Sequence, residues 1–98
     1  MTALRRALHE HPELSHQEHQ TQRRLMDAVR ELGLEPVPVG GTGLYVDVGT
    51  EGPLVCLRGD IDGLPITETD AHDLRSTRPG VMHACGHDVH AAAAWGAL

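Results

Sequence analysis

Apolar residues near the start of the chain recur at helical spacing. Within residues 2–14 they fall at Leu4, Ala7 and Leu8, which lie on one face of a helix. Pro12 follows, and proline disfavours helical backbone at the residue before it. The pattern therefore predicts a short first helix that ends just before Pro12.

A second, longer helix is predicted to run from Ser15 to about Leu32. Ser15 and Glu18 fit a capping box, in which a hydroxyl caps the helix and a carboxylate lies three residues later. Gly33 stands where a left-handed residue commonly ends a helix. One stripe of this helix is apolar, formed by Thr21, Leu25, Ala28 or Val29, and Leu32.

The middle of the chain has the patterns of β-strands. Residues 35–39 predict a short edge strand, because Pro36 and Pro38 cannot donate hydrogen bonds to a neighbouring strand. Glycines at 40, 41 and 43 predict a turn. Residues 44–48 alternate apolar and polar side chains, which is typical of a half-buried strand.

The next segment predicts a strand of a different kind. Residues 54–57, Leu-Val-Cys-Leu, are all apolar, which suits a strand covered on both faces. The stretch from 59 to 79 is mostly irregular, and residues 86–98 are alanine-rich and predict a final helix. The order predicts an α/β fold, but few residues remain to supply layers on both faces of the sheet, so the domain is expected to be incomplete.

Composition limits the possible partners. The 98 residues carry eight Arg and no Lys against fourteen acidic residues, a formal charge of −6, which argues against nonspecific nucleic-acid binding and a polybasic membrane anchor. No apolar run approaches the ~20 residues of a membrane-spanning helix, and the N-terminus lacks the apolar stretch of a signal peptide. We expect a cytoplasmic protein.

Cysteine and aromatic usage limits the core. One Trp, one Tyr and no Phe leave a core of Leu, Val, Ala and Met. Two cysteines do not form a disulfide framework. Cys56, within an apolar run, is predicted to be an inert core residue, and Trp95 a core or interface residue of the last helix.

The densest polar cluster is residues 83–90, His-Ala-Cys-Gly-His-Asp-Val-His. In extended backbone the side chains of His83, Cys85 and His87 project to one side, and His87 and His90 share one helical face. A thiolate and an imidazole two residues apart can converge on one metal ion. The alternative is that Cys85 is a small buried residue and the histidines lie on the surface.

A second polar pair follows the apolar run directly. Asp60 and Asp62 lie two residues apart, so both can point the same way while Ile61 points into the core. Loops at the carboxyl ends of strands are where α/β sheets place their sites, and paired carboxylates can bind a cation or orient a ligand imidazole. The alternative is a solvated acidic turn.

A third group contains four histidines near the N-terminus, which we interpret as a solvated helix start rather than a metal site. They are His9, His11, His16 and His19.

Five stretches, in this order, then become recognisable together. They are residues 5–14 (RRALHEHPEL), Glu18 with Thr21, Thr42 with Gly43, residues 57–66 (LRGDIDGLPI) and residues 79–90 (PGVMHACGHDVH). Together they resemble the M20 amidohydrolases, whose metal centres hydrolyse N-acyl amino acids and related amides. The resemblance covers nearly all of this chain but only about the first quarter of the family's sequence.

The resemblance implies roles for particular residues. Cys85 and His87 become metal ligands, with Cys85 bridging two divalent ions, which could be manganese, zinc, nickel or cobalt. Asp62 matches the family's catalytic aspartate, which orients a ligand, and Asp60 lies beside it. The residues expected to support these ligands without binding metal are Asp88, His90 and His83.

This sequence also differs from the M20 motifs at several positions, and each difference predicts a property of the chain. Gly59 and Gly63 replace the usual alanines and are expected to loosen the aspartate loop. Residues 69–77 match only weakly. The family's glutamate pair, its later ligand histidines and its inserted lid domain, which forms the homodimer, are not among these residues, so the chain is predicted to lack amidase activity alone.

Two rival hypotheses are a small structural metal-binding module and a non-catalytic interaction domain that self-associates.

Overall fold

The computed structural model describes residues 1–69 and 74–98, and within them three helices lie beside a two-stranded sheet. This is an α/β arrangement, as predicted. The elements are α1 (Thr2–Glu10), α2 (His19–Glu31), β1 (Val37–Val39), β2 (Gly43–Tyr45) and α3 (His87–Gly96).

The first helix ends where Pro12 predicts. α1 stops at Glu10, and His11 leaves the helix with φ −125°. Leu8 lies at the centre of a small core and is 1% exposed. It packs with Leu25 of α2 and Ala91 of α3, so one buried side chain from each helix meets at this point.

The second helix begins later than the capping box predicts, at His19 rather than after Ser15. Glu18 is the residue before the helix, but its carboxylate accepts a hydrogen bond from the Thr42 hydroxyl (2.5 Å) and does not cap the helix. The predicted capping box is therefore wrong. The predicted end of this helix is confirmed, since Gly33 follows it in the left-handed conformation, with φ +78°.

Glu13, from outside the helix, caps α2. Its carboxylate accepts hydrogen bonds from the Thr21 amide (2.6 Å), the Thr21 hydroxyl (2.7 Å) and the Gln20 amide (3.3 Å). These amides belong to the first turn of α2, where backbone donors have no partner within the helix and a negative charge is favourable. Burial alone would raise the pKa of Glu13, but these hydrogen bonds, with a smaller effect of Arg78, lower it below the ordinary 4.5.

The two strands form an antiparallel hairpin. Val37 lies opposite Tyr45, and Val39 lies opposite Gly43, so both strands are shorter than their sequence patterns predict. The Gln22 side chain donates a hydrogen bond to the carbonyl of Gly43 (2.7 Å), which ties the hairpin to α2.

The predicted buried strand at 54–57 is wrong. These residues form no strand, and Leu54, Val55 and Leu57 are 92%, 85% and 68% exposed. Cys56 is also exposed, which contradicts its predicted place in the core. A strand needs hydrogen-bonding neighbours and a layer against each apolar face, and the described residues supply neither. A groove of about 840 Å³ runs beside this segment, lined by side chains such as Leu25, Leu44 and Trp95.

The last helix joins the other two. α3 follows Gly86, whose φ of +85° lets the chain turn into the helix, and its Ala91 and Ala92 are buried. Trp95 is half-buried and donates its indole hydrogen to the carbonyl of Ala28 (2.9 Å), which confirms its predicted contact role. Among the described residues no helix combines the length and apolar character needed to cross a membrane.

Candidate metal centre

Asp62 and His87 meet at the start of α3. Nδ1 of His87 lies 2.8 Å from Oδ1 of Asp62 and 3.0 Å from the Asp62 carbonyl oxygen. Both oxygens are acceptors, so Nδ1 carries the proton and donates it. In the neutral ring Nε2 then keeps its lone pair, the state in which a histidine binds a metal ion.

Backbone hydrogen bonds on both sides of the loop that carries Asp60 and Asp62 place Asp62 beside His87. The Gly63 amide donates to the carbonyl of Glu13 (2.7 Å), and Leu64 and Met82 exchange two hydrogen bonds of 2.8 and 3.0 Å. These contacts hold the aspartate loop between the chain after α1 and the chain that leads to α3. Asp62 is therefore fixed from two sides before any side-chain contact is considered.

The glycines of this loop pack tightly, contrary to the expectation that they loosen it. A Cβ atom on Gly63 would lie 3.0 Å from Cβ of Pro12 and 3.2 Å from Cγ1 of Val81. One on Gly59 would lie 3.1 Å from the carbonyl oxygen of His90. Their small size lets the loop pack against Pro12, just after α1, and against α3, and an alanine at either position would require these neighbours to move.

Asp60 lies at the outer side of the same histidine. Its Oδ2 is 4.0 Å from Nε2 of His87, and its Oδ1 forms an exposed ion pair of 2.9 Å with Arg58. The two aspartates thus face opposite nitrogens of one ring, which supports the interpretation of the pair as part of a site rather than an isolated solvated turn.

Cys85 and His83 separate in the structure. Residues 84 and 85 form a turn, so the predicted projection of His83, Cys85 and His87 to one side of an extended chain is wrong. The Cys85 thiol is free and exposed, whereas His83 is buried. Gly86, with its positive φ, produces this turn and brings the exposed thiol immediately before α3.

The imidazole of His83 is buried without a hydrogen-bond partner on either nitrogen among the described residues. Burial lowers the pKa of His83, the positive forms of His9 and His87 lower it further, and the Asp88 and Asp62 carboxylates oppose the shift. His83 is therefore neutral near pH 7 and contributes no charge to the site.

His90 lies one helical turn after His87, as its spacing predicts. The two ring centroids are 5.9 Å apart and His90 is exposed. Among residues 1–69 and 74–98, no three His, Cys, Asp or Glu side chains converge closely enough to hold a metal ion. The closed structural site proposed from Cys85, His87 and either His83 or His90 is therefore not formed.

Asp88 is the most deeply buried member of the cluster, at 1% exposure. It forms ion pairs of 2.9 Å with Nε of Arg5 and with Nδ1 of His9. The opposite nitrogen of His9 lies 2.7 Å from Oε1 of Glu68. Asp88 therefore contacts α1, and its role as a support of the ligands stays a prediction.

Sequence reasoning assigned no role to Arg5 or Glu68 and misplaced His9. His9 is buried, so its interpretation as part of a solvated helix start is wrong, whereas His16 and His19 are exposed. The burial of His9 depends on Asp88 and Glu68, which are distant in sequence, so no local pattern could have indicated it. Of the weakly matching stretch 69–77, residues 70–73 lie outside the described residues.

This chain is similar to a known protein family and to several known proteins. Residues 56–98 match the model of peptidase family M20/M25/M40. The N-acetyl-L-cysteine deacetylase of Bacillus subtilis (strain 168) is 42% identical over 99% of this chain and 24% of its own length. A Rhodococcus jostii (strain RHA1) protein that carries a glutamate–cysteine ligase name is 52% identical over 95% of this chain but only 12% of that protein.

A solved structure shares the fold. The crystal structure of the Bacillus subtilis YXEP protein, described as a dinuclear metal binding peptidase from the M20 family, superposes with a TM-score of 0.92 at 40% identity. The match covers 97% of this chain and 28% of that one. The chain thus spans about a quarter or less of the length of the two curated relatives named above.

Proposed function

We propose that this chain, whose residues 56–98 match the model of peptidase family M20/M25/M40, forms part of a metal-dependent amidohydrolase that cleaves N-acyl amino acids or similar small amides. The deacetylase name of the Bacillus subtilis relative supports this substrate class. The ligase name of the Rhodococcus jostii relative is not carried over, because the shared region is 12% of that protein. We place these 98 residues in the N-terminal part of the catalytic domain of a cytoplasmic enzyme.

The observation that carries the proposal is the hydrogen bond of 2.8 Å between Asp62 and Nδ1 of His87. A carboxylate that holds one imidazole nitrogen while the other faces outward is the usual support of a metal-binding histidine. The ligands that we propose are Nε2 of His87 and the sulfur of the exposed Cys85, with a carboxylate oxygen of Asp60 4.0 Å from Nε2. This mixed set of nitrogen, sulfur and oxygen suits manganese, zinc, nickel or cobalt without selecting sharply among them.

The chemistry of these donors fits a divalent cation, but among the described residues they do not converge on one point. Cys85 and His87 would hold it, with Asp62 fixing the ring and Asp60 adding negative charge nearby. When bound, a pair of such cations supplies an activated water and polarises the amide carbonyl. Among the described residues, Asp60 and Asp62 are the carboxylates that lie within 4.0 Å of the His87 ring nitrogens, and no side chain is assigned as the general base. We therefore propose that the 98-residue chain alone does not hydrolyse amides.

Cobalt binding tests the ligand assignment with a matched pair of cysteine variants. Cys85→Ala is expected to abolish the thiolate-to-cobalt absorption band on titration with Co²⁺, because its sulfur is the proposed ligand. Cys56→Ala removes the other exposed cysteine and is expected to leave the band unchanged. Loss of the band in Cys56→Ala but not in Cys85→Ala would contradict the assignment.

The same proteins test the proposed lack of activity. The wild-type chain is expected to release no amino acid from N-acetyl or N-benzoyl amino acids at any metal concentration. Metal-dependent hydrolysis that disappears in Cys85→Ala would overturn that expectation, although it would support the proposed reaction.

The exposed apolar segment favours association of the isolated chain with itself. Leu54, Val55 and Leu57 form an exposed apolar segment beside the groove, and exposed apolar patches commonly mark surfaces that associate with other chains. Sedimentation velocity is expected to show oligomers that decrease in Val55→Asp. Leu32→Asp changes an exposed leucine at the end of α2 and is expected to leave the oligomers unchanged. A wild-type chain that remains monomeric over a wide concentration range would contradict self-association.

A further inference from the structure

His9 joins three separate parts of the molecule. It lies on α1, its Nδ1 contacts Asp88 at the start of α3 (2.9 Å), and its Nε2 contacts both oxygens of Glu68 (2.7 and 3.1 Å). Glu68 in turn accepts a hydrogen bond from the Ser76 amide (2.9 Å). The side chains of His9, Asp88 and Glu68 are 8%, 1% and 4% exposed, so water does not compete for these contacts.

The two contacts of His9 are satisfied together by one form of the ring, the one with a proton on each nitrogen. Each nitrogen of His9 faces a carboxylate oxygen, and an imidazole can donate to both sides only when both nitrogens carry a proton. Arg5 adds a second positive charge 2.9 Å from Asp88. A buried group of charges is tolerated when it is paired in this way.

The position of this cluster relates it to the candidate metal centre. Asp88 directly follows His87 in the first turn of α3, and Glu68 follows the loop that carries Asp60 and Asp62. His9 therefore connects the helix that holds one proposed ligand to the segment that holds the carboxylates beside it. Backbone contacts at Gly63 and Leu64 fix the middle of the loop, and the His9 cluster joins its far end, at Glu68, to α3.

We propose that His9 is a positioning residue, which as a doubly hydrogen-bonded imidazolium keeps Asp62 and His87 in register. This inference rests on the proposed function only where it concerns metal affinity. Replacement of the bridge would let α3 and the aspartate loop move independently. The hydrogen bond between Asp62 and His87 would then weaken, while α2 and the hairpin would keep their structure.

Nitrogen-15 NMR of the histidine rings tests the bridge directly. In the wild-type chain both ring nitrogens of His9 are expected to show bonded protons, and Nδ1 of His87 is expected to show a slowly exchanging proton. In His9→Gln, which can no longer serve two carboxylates on opposite sides, the His87 signal is expected to disappear. The amide protons of β1 and β2 are expected to stay as protected as in the wild type.

Cobalt affinity gives a second measurement. His9→Gln is expected to weaken Co²⁺ binding about tenfold, the lower end of the effects seen when a ligand's supporting residue is changed. Arg30→Gln removes an ion pair on the exposed side of α2 and serves as the matched control, with no change expected in either measurement. Glu68→Gln keeps the size of the side chain but removes its charge, and it should reproduce the His87 effect if His9→Gln does not fold.

Three results would overturn the inference. The first is a neutral His9 ring with a single bonded proton. The second is an unchanged signal of the His87 Nδ1 proton in folded His9→Gln. The third is a loss of amide protection in β1 and β2 as large as the loss at His87, which would indicate general destabilisation only. A wild-type chain that binds no cobalt would instead remove support from the proposed function, and the NMR measurement would still decide the role of His9.

Discussion

Glu13→Gln is expected to lower the free energy of unfolding by about 2 kcal/mol, near the upper end of the cost of removing a helix cap. The carboxylate of Glu13 accepts three hydrogen bonds at the start of α2, two from backbone amides and one from the Thr21 hydroxyl. Glutamine keeps the size of the side chain but loses the negative charge, and its amide group would face backbone donors. Urea unfolding followed by circular dichroism at pH 7 measures the difference.

The effect should depend on pH with a defined sign. The pKa of Glu13 in the folded chain is lowered from its ordinary value of 4.5. A carboxyl with a lowered pKa stabilises the fold fully above its unfolded pKa, and this contribution is lost as the pH falls through the folded pKa. The gap in stability between wild type and Glu13→Gln is therefore expected to be constant above about pH 6 and to shrink below 4.5.

Glu51→Gln is the matched control, because Glu51 is exposed in a turn. Its free energy of unfolding is expected to match the wild type within a few tenths of a kcal/mol, as for most surface changes. An equal effect of the two substitutions, or a gap for Glu13→Gln that grows as the pH falls, would contradict the cap.

Asp62→Asn is expected to weaken binding of Co²⁺ or Zn²⁺ by about 10- to 100-fold, the usual cost of losing the carboxylate that supports a ligand histidine. The asparagine oxygen can still accept the proton of Nδ1 at the observed 2.8 Å, but without the charge that raises the basicity of the ring. Isothermal titration calorimetry compares the two proteins.

Asp47→Asn makes the same chemical change at an exposed aspartate outside the candidate centre, and its metal affinity is expected to equal that of the wild type. Unchanged affinity in Asp62→Asn, with the Nδ1 proton of His87 still observed, would show that the Asp62–His87 pair is structural and does not serve metal binding.

The sequence identified most members of the candidate centre but not their arrangement. Cys85, His87, Asp60 and Asp62 stand out because their residue types and spacing suit metal chemistry, and the likeness to M20 amidohydrolases adds their roles. The separation of the exposed Cys85 from the buried His83 could not be read from spacing, because it depends on the turn at Gly86.

The contacts that His9 makes with Asp88 and Glu68 could not be predicted from the sequence either. Its partners Glu68 and Asp88 lie 59 and 79 residues away, and no local pattern connects groups so distant in sequence. Glu13 is similar, because a cap supplied from outside the helix has no spacing rule. The local alternative, Ser15 with Glu18, fitted a known motif and was wrong.

The sequence by itself determined which segments form helices and where α1 and α2 end. Helical periodicity, the restriction before Pro12 and the freedom of Gly33 all act between near neighbours, and α1, α2 and α3 follow them. Tertiary structure alone decided the state of residues 54–57, the cap of α2 and the burial of His9. A strand, a remote cap and a buried ion pair each need partners from elsewhere in the fold, so the same residues take different states according to which partners are present.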